Sequence, residues 1–254
     1  MKGTVMEDII VRAAGLRKAY RNGTLTSPVL QGIDLEITRG ECLFLAGPSG
    51  SGKTTLLSIL GCVLSPDTGM LQILGEDVTR YSSTEQARFR REKVGFVFQR
   101  FHLFDALTSV ENVRVAFELL GIPAAEATQK SRELLGLVGL SDKADSRVTR
   151  LSMGQRQRVA LARALAGNPE LILADEPTAS LDAEAGLSAM QILKDLCHSL
   201  HKTVIVVTHD SRILPIADRI LKLADGRIVS DRPPENPPGS HAGLFPANPV
   251  RRSA

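Results

Sequence analysis

The chain has 254 residues, 43% of them hydrophobic, which is enough for a sizeable core and places it among ordinary globular chains of one large or two small domains. Its 31 basic and 28 acidic side chains leave a formal charge of +3, too small to imply a nucleic-acid partner by itself. Cys42, Cys62 and Cys197 stand far apart, which excludes a disulfide framework and a CxxC metal or redox motif and fits a reducing compartment.

The N-terminal stretch MKGTVMEDIIVRAAGL carries Glu7 and Asp8 where a signal peptide would be basic and then apolar. No apolar run approaches the roughly 18 residues of a spanning helix, so the expectation is a cytoplasmic chain whose membrane role comes through a partner. IIVRAAGL, LQGIDLEI and CLFLAG are short alternating or fully apolar runs and read as strands. Tyr20, after the first of them, is one of two tyrosines and reads either as a half-buried strand aromatic or as a platform for a nucleotide base.

GPSGSGKT at 47–54 follows CLFLA directly and runs into the helical TTLLSIL, so the pattern G-x-x-x-x-G-K-[ST] sits between a strand and a helix. Gly47, Gly50 and Gly52 let the backbone wrap so that successive N–H groups face phosphate oxygens, with Pro48, Ser49, Ser51 and Thr55 in the same segment. Lys53 brings a point charge for β and γ phosphates, and the Thr54 hydroxyl suits Mg²⁺. A site for a non-nucleotide phosphate is the bland alternative.

RFRREK at 88–93 is locally basic and reads as a solvated helix face, with a nucleic-acid or lipid-headgroup contact as the alternative. Gln99, after VGFVF, is alone a polar loop residue, yet it can reach both a metal and a water. SVENVRVAFELL, AEATQKSRELLGLV and the run after Ser152 are three helical patterns without a convincing strand between them, which reads as a helical insertion. Ser152 and Gln155 stand three apart at the last helix start, the pattern of a capping box, and the same helix end suits an anion.

LILADE at 171–176 is a buried strand ending in two carboxylates, where a parallel sheet meets its ligand. Neighbouring strand residues face opposite ways, so Asp175 is expected to orient a Mg²⁺ shell and Glu176 to act as base for an attacking water. Leu187, Met190, Leu193, Cys197 and Leu200 mark one face of the next helix, and TVIVV at 203–207 is another buried strand. His209 at its end is alone more often a satisfied hydrogen-bonding group, but after two catalytic strand ends it reads as functional. This strand and helix alternation argues for a parallel sheet with helices on both faces. ADRILKLADGRIV reads as a hairpin turning at Asp225 and Gly226, and from Asp231 onward six of the 13 prolines fall within 24 residues, as in a disordered tail.

In the order GPSGSGKT, Gln99, LSMGQ, LILADEP, SLD, His209, the chain resembles the ATP-binding cassette (ABC) ATPases over residues 7–230. The resemblance implies an α/β P-loop NTPase fold with a parallel-sheet core, an N-terminal antiparallel β subdomain and a helical subdomain at about 100–165. These would form one domain over 1–230, with the Pro-rich stretch 231–254 as a tail. LSMGQ resembles the family signature LSGGQ, whose helix start contacts the γ phosphate held by a second cassette. By that resemblance Ser152 and Gly154 act in trans, Gln155 belongs to the same nucleotide-binding signature, and Asp182 in ASLD communicates across a homodimer that sandwiches ATP and Mg²⁺. Met153 departs from the family glycine; an ordinary φ at 153 would tolerate it, with Gly154 marking the close approach to phosphate.

VLQGIDLEI, TLLSILGC, GFVFQ and ADEPTASLD look like the cassettes of lipoprotein-releasing, macrolide-exporting and heterocyst glycolipid-exporting systems, and THDSRILPIADRI looks like the last of these. The resemblance implies permease partners of few transmembrane helices with large periplasmic domains, and a peripheral place on the cytoplasmic face of the inner membrane. Residues 100–120 resemble the segment beside that partner, although Asp105 stands where a proline is common. An importer cassette would share every catalytic residue. Soluble cassettes that act on ribosomes or DNA carry a second cassette, a long coiled coil or zinc modules that this chain lacks, so no nucleic acid is expected.

Overall fold

A computed structural model describes residues 8–23 and 25–234. The expected tail beyond Pro234 and the first seven residues lie outside the described residues. Two long strands, β1 (Ile9–Asn22) and β2 (Leu25–Thr38), pair antiparallel and precede β3 (Cys42–Ala46) and α1 (Lys53–Leu60). Next come β4 (Thr68–Ile73), the short β5 (Glu76–Asp77), α2 (Ser83–Lys93) and β6 (Val94–Val97). The helices α3 (Ser109–Leu119), α4 (Ala124–Leu137) and α5 (Met153–Leu165) follow, then β7 (Leu171–Asp175) and α6 (Ala183–Ser199). β8 (Thr203–Thr208), β9 (Arg219–Ala224) and β10 (Arg227–Arg232) complete the order.

β2-β1-β4-β5 form an antiparallel sheet, and β10-β9-β3-β8-β7-β6 form a second sheet in which β9, β3, β8, β7 and β6 run parallel. The central strands are apolar at every inner position, which is what burial on both faces requires. Alternation then divides them. Leu43, Leu45, Leu171, Leu173, Ile205 and Val207 pack with α1 and the antiparallel sheet. Cys42, Phe44, Ile172, Ala174, Val204 and Val206 pack with α3, α4, α5 and α6. The three catalytic-strand expectations, β3, β7 and β8, therefore lie side by side and end along one edge.

Three helix starts carry a capping box, whereas α1 and α4 begin at Gly52 and Pro123 without a side-chain cap. Ser82 and Glu85 form a capping box on α2, Thr108 and Glu111 on α3, and Ser152 and Gln155 on α5. RFRREK forms the second half of α2, where Phe89 alone is buried and Arg90 is tied to the carbonyl of Cys62. The hairpin turns at Asp225 and Gly226, both at positive φ. β10 runs two residues past the expected domain end at 230, because Asp231 takes both arms of the Arg219 guanidinium at 2.6 Å.

On α6, Met190, Leu193 and Cys197 are buried as expected, but Leu187 is 40% exposed and Leu200, beyond the last helical residue, 39%. All three cysteines are buried and free; burial pushes the thiol of Cys62 up to about 11 and that of Cys197 up to about 12. Among the described residues no helix is long and apolar enough to cross a membrane.

Candidate functional site

The turn from β3 into α1 is shaped by its glycines. At Gly47 a Cβ would stand 2.1 Å from the carbonyl oxygen of Leu223, and Gly52, at φ 102°, leaves 2.8 Å to that of Val29, so neither position admits a side chain. Gly52 is the N-cap of α1, and no side chain caps the helix, so its first-turn N–H groups have no side-chain acceptor. Lys53 is 7% exposed, and its ammonium donates to the carbonyls of Gly47 and Pro48, both at 2.9 Å. The Ser51 hydroxyl is buried in the same loop without a hydrogen-bond partner among the described residues. A buried cation, uncapped amides and an orphan hydroxyl around one loop suit a polyanion.

The end of β7 faces this loop. Thr54 donates its hydroxyl hydrogen to Asp175 Oδ1 at 3.2 Å. Burial pushes the Asp175 carboxyl above the usual range, and the bond from Thr54 opposes that shift. Two hard oxygen donors in contact form a donor set that fits Mg²⁺. Glu176 departs differently from what strand alternation predicts. β7 ends at Asp175, and Glu176 takes φ 47° with its N–H on the carbonyl of Val207, so it is the left-handed backbone that turns this carboxylate away from its neighbour.

The Glu176 carboxylate meets His209 beyond β8. Oε1 lies 2.8 Å from His209 Nδ1, and Oε2 accepts the His209 N–H at 3.3 Å. A carboxylate only accepts, so Nδ1 carries the hydrogen. Glu176 is 15% exposed in its side chain and His209 68%, so the acid is sheltered and the imidazole reaches outward. A second tie joins the two loops. Asp210 takes two bonds from the Arg212 guanidinium, both at 2.8 Å, and one from the Thr178 hydroxyl at 3.4 Å. Arg212 holds the Asp210 carboxyl below the usual range.

Tyr20, Val29, Ser49, Gly50, Gly52, Lys53, Thr54, Thr55, Glu176 and His209 line one cleft of ≈ 610 Å³, a volume suited to a small-molecule ligand. Tyr20 is 46% exposed at its mouth, free to stack on a ring. Gln99, Ser152, Gly154, Gln155 and Asp182 do not line it, and neither do Asp175, Gly47, Pro48 and Ser51, which adjoin it through Thr54 and Lys53.

The first five of these residues belong to a second neighbourhood. Asp182 caps α6 by accepting from Ala185 N–H at 2.8 Å, and a Cβ on Gly154 would lie 3.4 Å from that of Ala185, so the starts of α5 and α6 touch. The Gln99 carbonyl accepts from Ser180 in the loop ahead of α6. Ser152 Oγ accepts from Gln155 N–H at 3.3 Å while Gln155 Oε1 accepts from Ser152 N–H at 3.0 Å. Met153 is 44% exposed and helical at an ordinary φ, as the sequence reading expected.

The sequence reading missed Val29, which nothing marks within β2, and the Thr178, Asp210 and Arg212 tie. Asp210 beside His209 was the available signal for the latter.

Three comparisons bear on this site. A family model described as ABC transporter matches residues 30–179. The macrolide export ATP-binding/permease protein MacB of Nitrosomonas europaea is 44% identical over 241 residues, which cover 92% of this chain and 36% of that protein. The lipoprotein-releasing system ATP-binding protein LolD of Bacteroides fragilis is 43% identical over 220 residues, 87% of this chain and 100% of that protein. The chain thus spans about a third of the length of the MacB relatives and all of LolD. A dimeric, post-hydrolysis structure of the ATP-binding cassette MJ0796 with ADP and Pi matches with TM-score 0.80 and 38% identity, over 88% of this chain and 98% of that one.

Proposed function

The chain belongs to the ABC transporter family, and from that premise we propose that it binds and hydrolyses ATP as the cytoplasmic motor of a membrane exporter. The observation that carries the hydrolytic part is the Glu176–His209 pair, 2.8 Å apart and lining the cleft that also holds Lys53 and Thr54. The loop 47–52 cradles the phosphates, Lys53 adds positive charge at β and γ, and Tyr20 stacks on the base. Thr54 and Asp175 would hold Mg²⁺, which offsets phosphate charge as the γ group is transferred. Glu176 takes the proton of a water that attacks the γ phosphorus while the bond to ADP breaks. His209 donates to that carboxylate and fixes its direction.

We assign Gln99, Ser152, Gly154, Gln155 and Asp182 to a closed homodimer, in which the start of α5 of one copy meets the phosphates held by the other. The dimeric state described for MJ0796 supports that assignment. The domain is taken as one cassette through β10 with its helical subdomain at about 100–165. The names of the MacB and LolD relatives support export or extraction. We assign as partners permease subunits of few helices with large periplasmic domains. The place of such a chain is peripheral, on the cytoplasmic face of the inner membrane, with no role for nucleic acid.

The test is Glu176→Gln. It should keep ATP binding, form a stable dimer with ATP on size-exclusion chromatography, and lose turnover by about 10²-fold or more. Turnover within about twofold of the parent would remove Glu176 as the base. With that variant and ATP as bait, a pull-down from solubilised host membranes should recover a few-helix permease with a large periplasmic domain. A solute permease in its place would turn the reading to import.

A further inference from the structure

A second cleft, of ≈ 640 Å³, opens between the end of α4, the middle of α6 and the turn Leu214–Ile216. It shares no lining residue with the nucleotide cleft, and nothing in the ATPase reading uses it. Its walls are apolar, with Leu137, Leu187, Ile192 and Pro215 among them. Leu187 and Leu137 stay 40% and 38% exposed there, although the spacing along α6 would have buried Leu187.

The polar groups at the rim are not equivalent. Asp195 takes a hydrogen bond from the neutral Gln191 at 2.8 Å and has no cationic partner among the described residues, whereas Arg212 is engaged twice by Asp210. The Arg158 guanidinium donates to the Ser188 hydroxyl at 3.2 Å and has no carboxylate partner among the described residues. A guanidinium carries five N–H donors in a planar fork, so most of this one's capacity is unspent beside an oily wall.

We propose that this cleft binds a small amphipathic anion, a carboxylate or sulfonate on an apolar body, with its acid group on Arg158 and its body against Leu137, Leu187 and Ile192. The planar fork of Arg158 matches a carboxylate or sulfonate, the Asp195 carboxylate on the same rim tells against a second negative charge on the ligand, and the volume lies within the range of small-molecule sites. Arg212 on the same rim gives the site a route to the nucleotide. An anion that draws its guanidinium off Asp210 loosens the tie to Thr178, between the loops that carry Glu176 and His209. That consequence rests on the ATPase reading; the binding itself does not.

The probe is anilinonaphthalene sulfonate, titrated by fluorescence into the full chain with saturating ADP in the nucleotide cleft. One saturable site is expected, weakened about tenfold in Arg158→Gln and lost in Leu187→Asp. Ser188→Glu, which sets a carboxylate against Arg158, should weaken it likewise and serves if Leu187→Asp fails to fold; retained ADP binding checks each variant. Affinity unchanged in Arg158→Gln and Ser188→Glu, or an uncharged phenylnaphthylamine binding as tightly as the sulfonate, would overturn the proposal. Saturating probe should also lower ATP turnover severalfold at unchanged KM for ATP. Unchanged turnover in a chain that hydrolyses ATP and binds the probe would overturn the route through Arg212.

Discussion

The starts of α1 and α5 are both glycine-bearing helix N-termini, and they are built in opposite ways. α1 begins at a left-handed Gly52 that no side chain caps, with a lysine folded into the loop beneath it. α5 begins at Ser152 in extended backbone, and its capping box satisfies Gln155 N–H at home. The first start uses a left-handed backbone that glycine adopts freely and leaves its donors for a ligand; the second is a side-chain-capped helix end that keeps the N–H groups of Met153 and Gly154 to offer. In the homodimer proposed above, such a division would make the site strong in the half that holds phosphate alone and light in the half that arrives and leaves with each cycle.

The largest way to break this contrast is Lys53→Ala. It should weaken ATP binding and lower turnover by about a hundredfold or more, measured with a fluorescent nucleotide and a phosphate-release assay. Next comes a pair of glycine substitutions. Gly52→Ala forces a Cβ to 2.8 Å from the Val29 carbonyl at φ 102° and should cost about 1–3 kcal/mol in denaturant unfolding. Gly154→Ala meets ordinary contact at 3.4 Å and an ordinary helical φ, so stability should hold or rise by up to about 1 kcal/mol. A fall in turnover of the well-folded Gly154→Ala would therefore report crowding against the partner's phosphates.

A smaller effect is expected from pH. Burial raises the Asp175 carboxyl, so as pH falls this group takes up a proton before an ordinary carboxylate does. Mg²⁺-dependent nucleotide affinity should weaken through that window, and Asp175→Asn should flatten the profile; a parent profile as flat as that of the variant would count against Asp175 as ligand. The smallest effect is Met153→Gly. With an exposed side chain at ordinary φ, turnover should stay within about threefold of the parent, and a hundredfold gain would mark the methionine as an impairment of the signature.

The strands of the parallel sheet were legible because burial on both faces leaves a run such as LILAD no room for polar residues. Helix starts were legible through caps, as at Ser152. α2 carried no apolar period, since Phe89 is its one buried residue, and only the box of Ser82 and Glu85 marks it. The different roles of Asp175 and Glu176 were expected for a reason that does not hold, since the turn lies in one backbone angle at Glu176. The tie of Thr178, Asp210 and Arg212 joins loops 32 residues apart, and no local pattern encodes such a contact. Leu187 was placed in the core by spacing alone, which cannot show that a neighbouring helix stops short of covering it.

The burial of Cys42, Cys62 and Cys197 has a practical side. Thiols react with maleimides as thiolates, and these three are both sheltered and held in the protonated form. The native chain is thus already a quiet background for site-directed labelling. A cysteine introduced at position 153 would take a spin label or a fluorophore selectively, and the distance between two such labels would follow the meeting of two copies turnover by turnover.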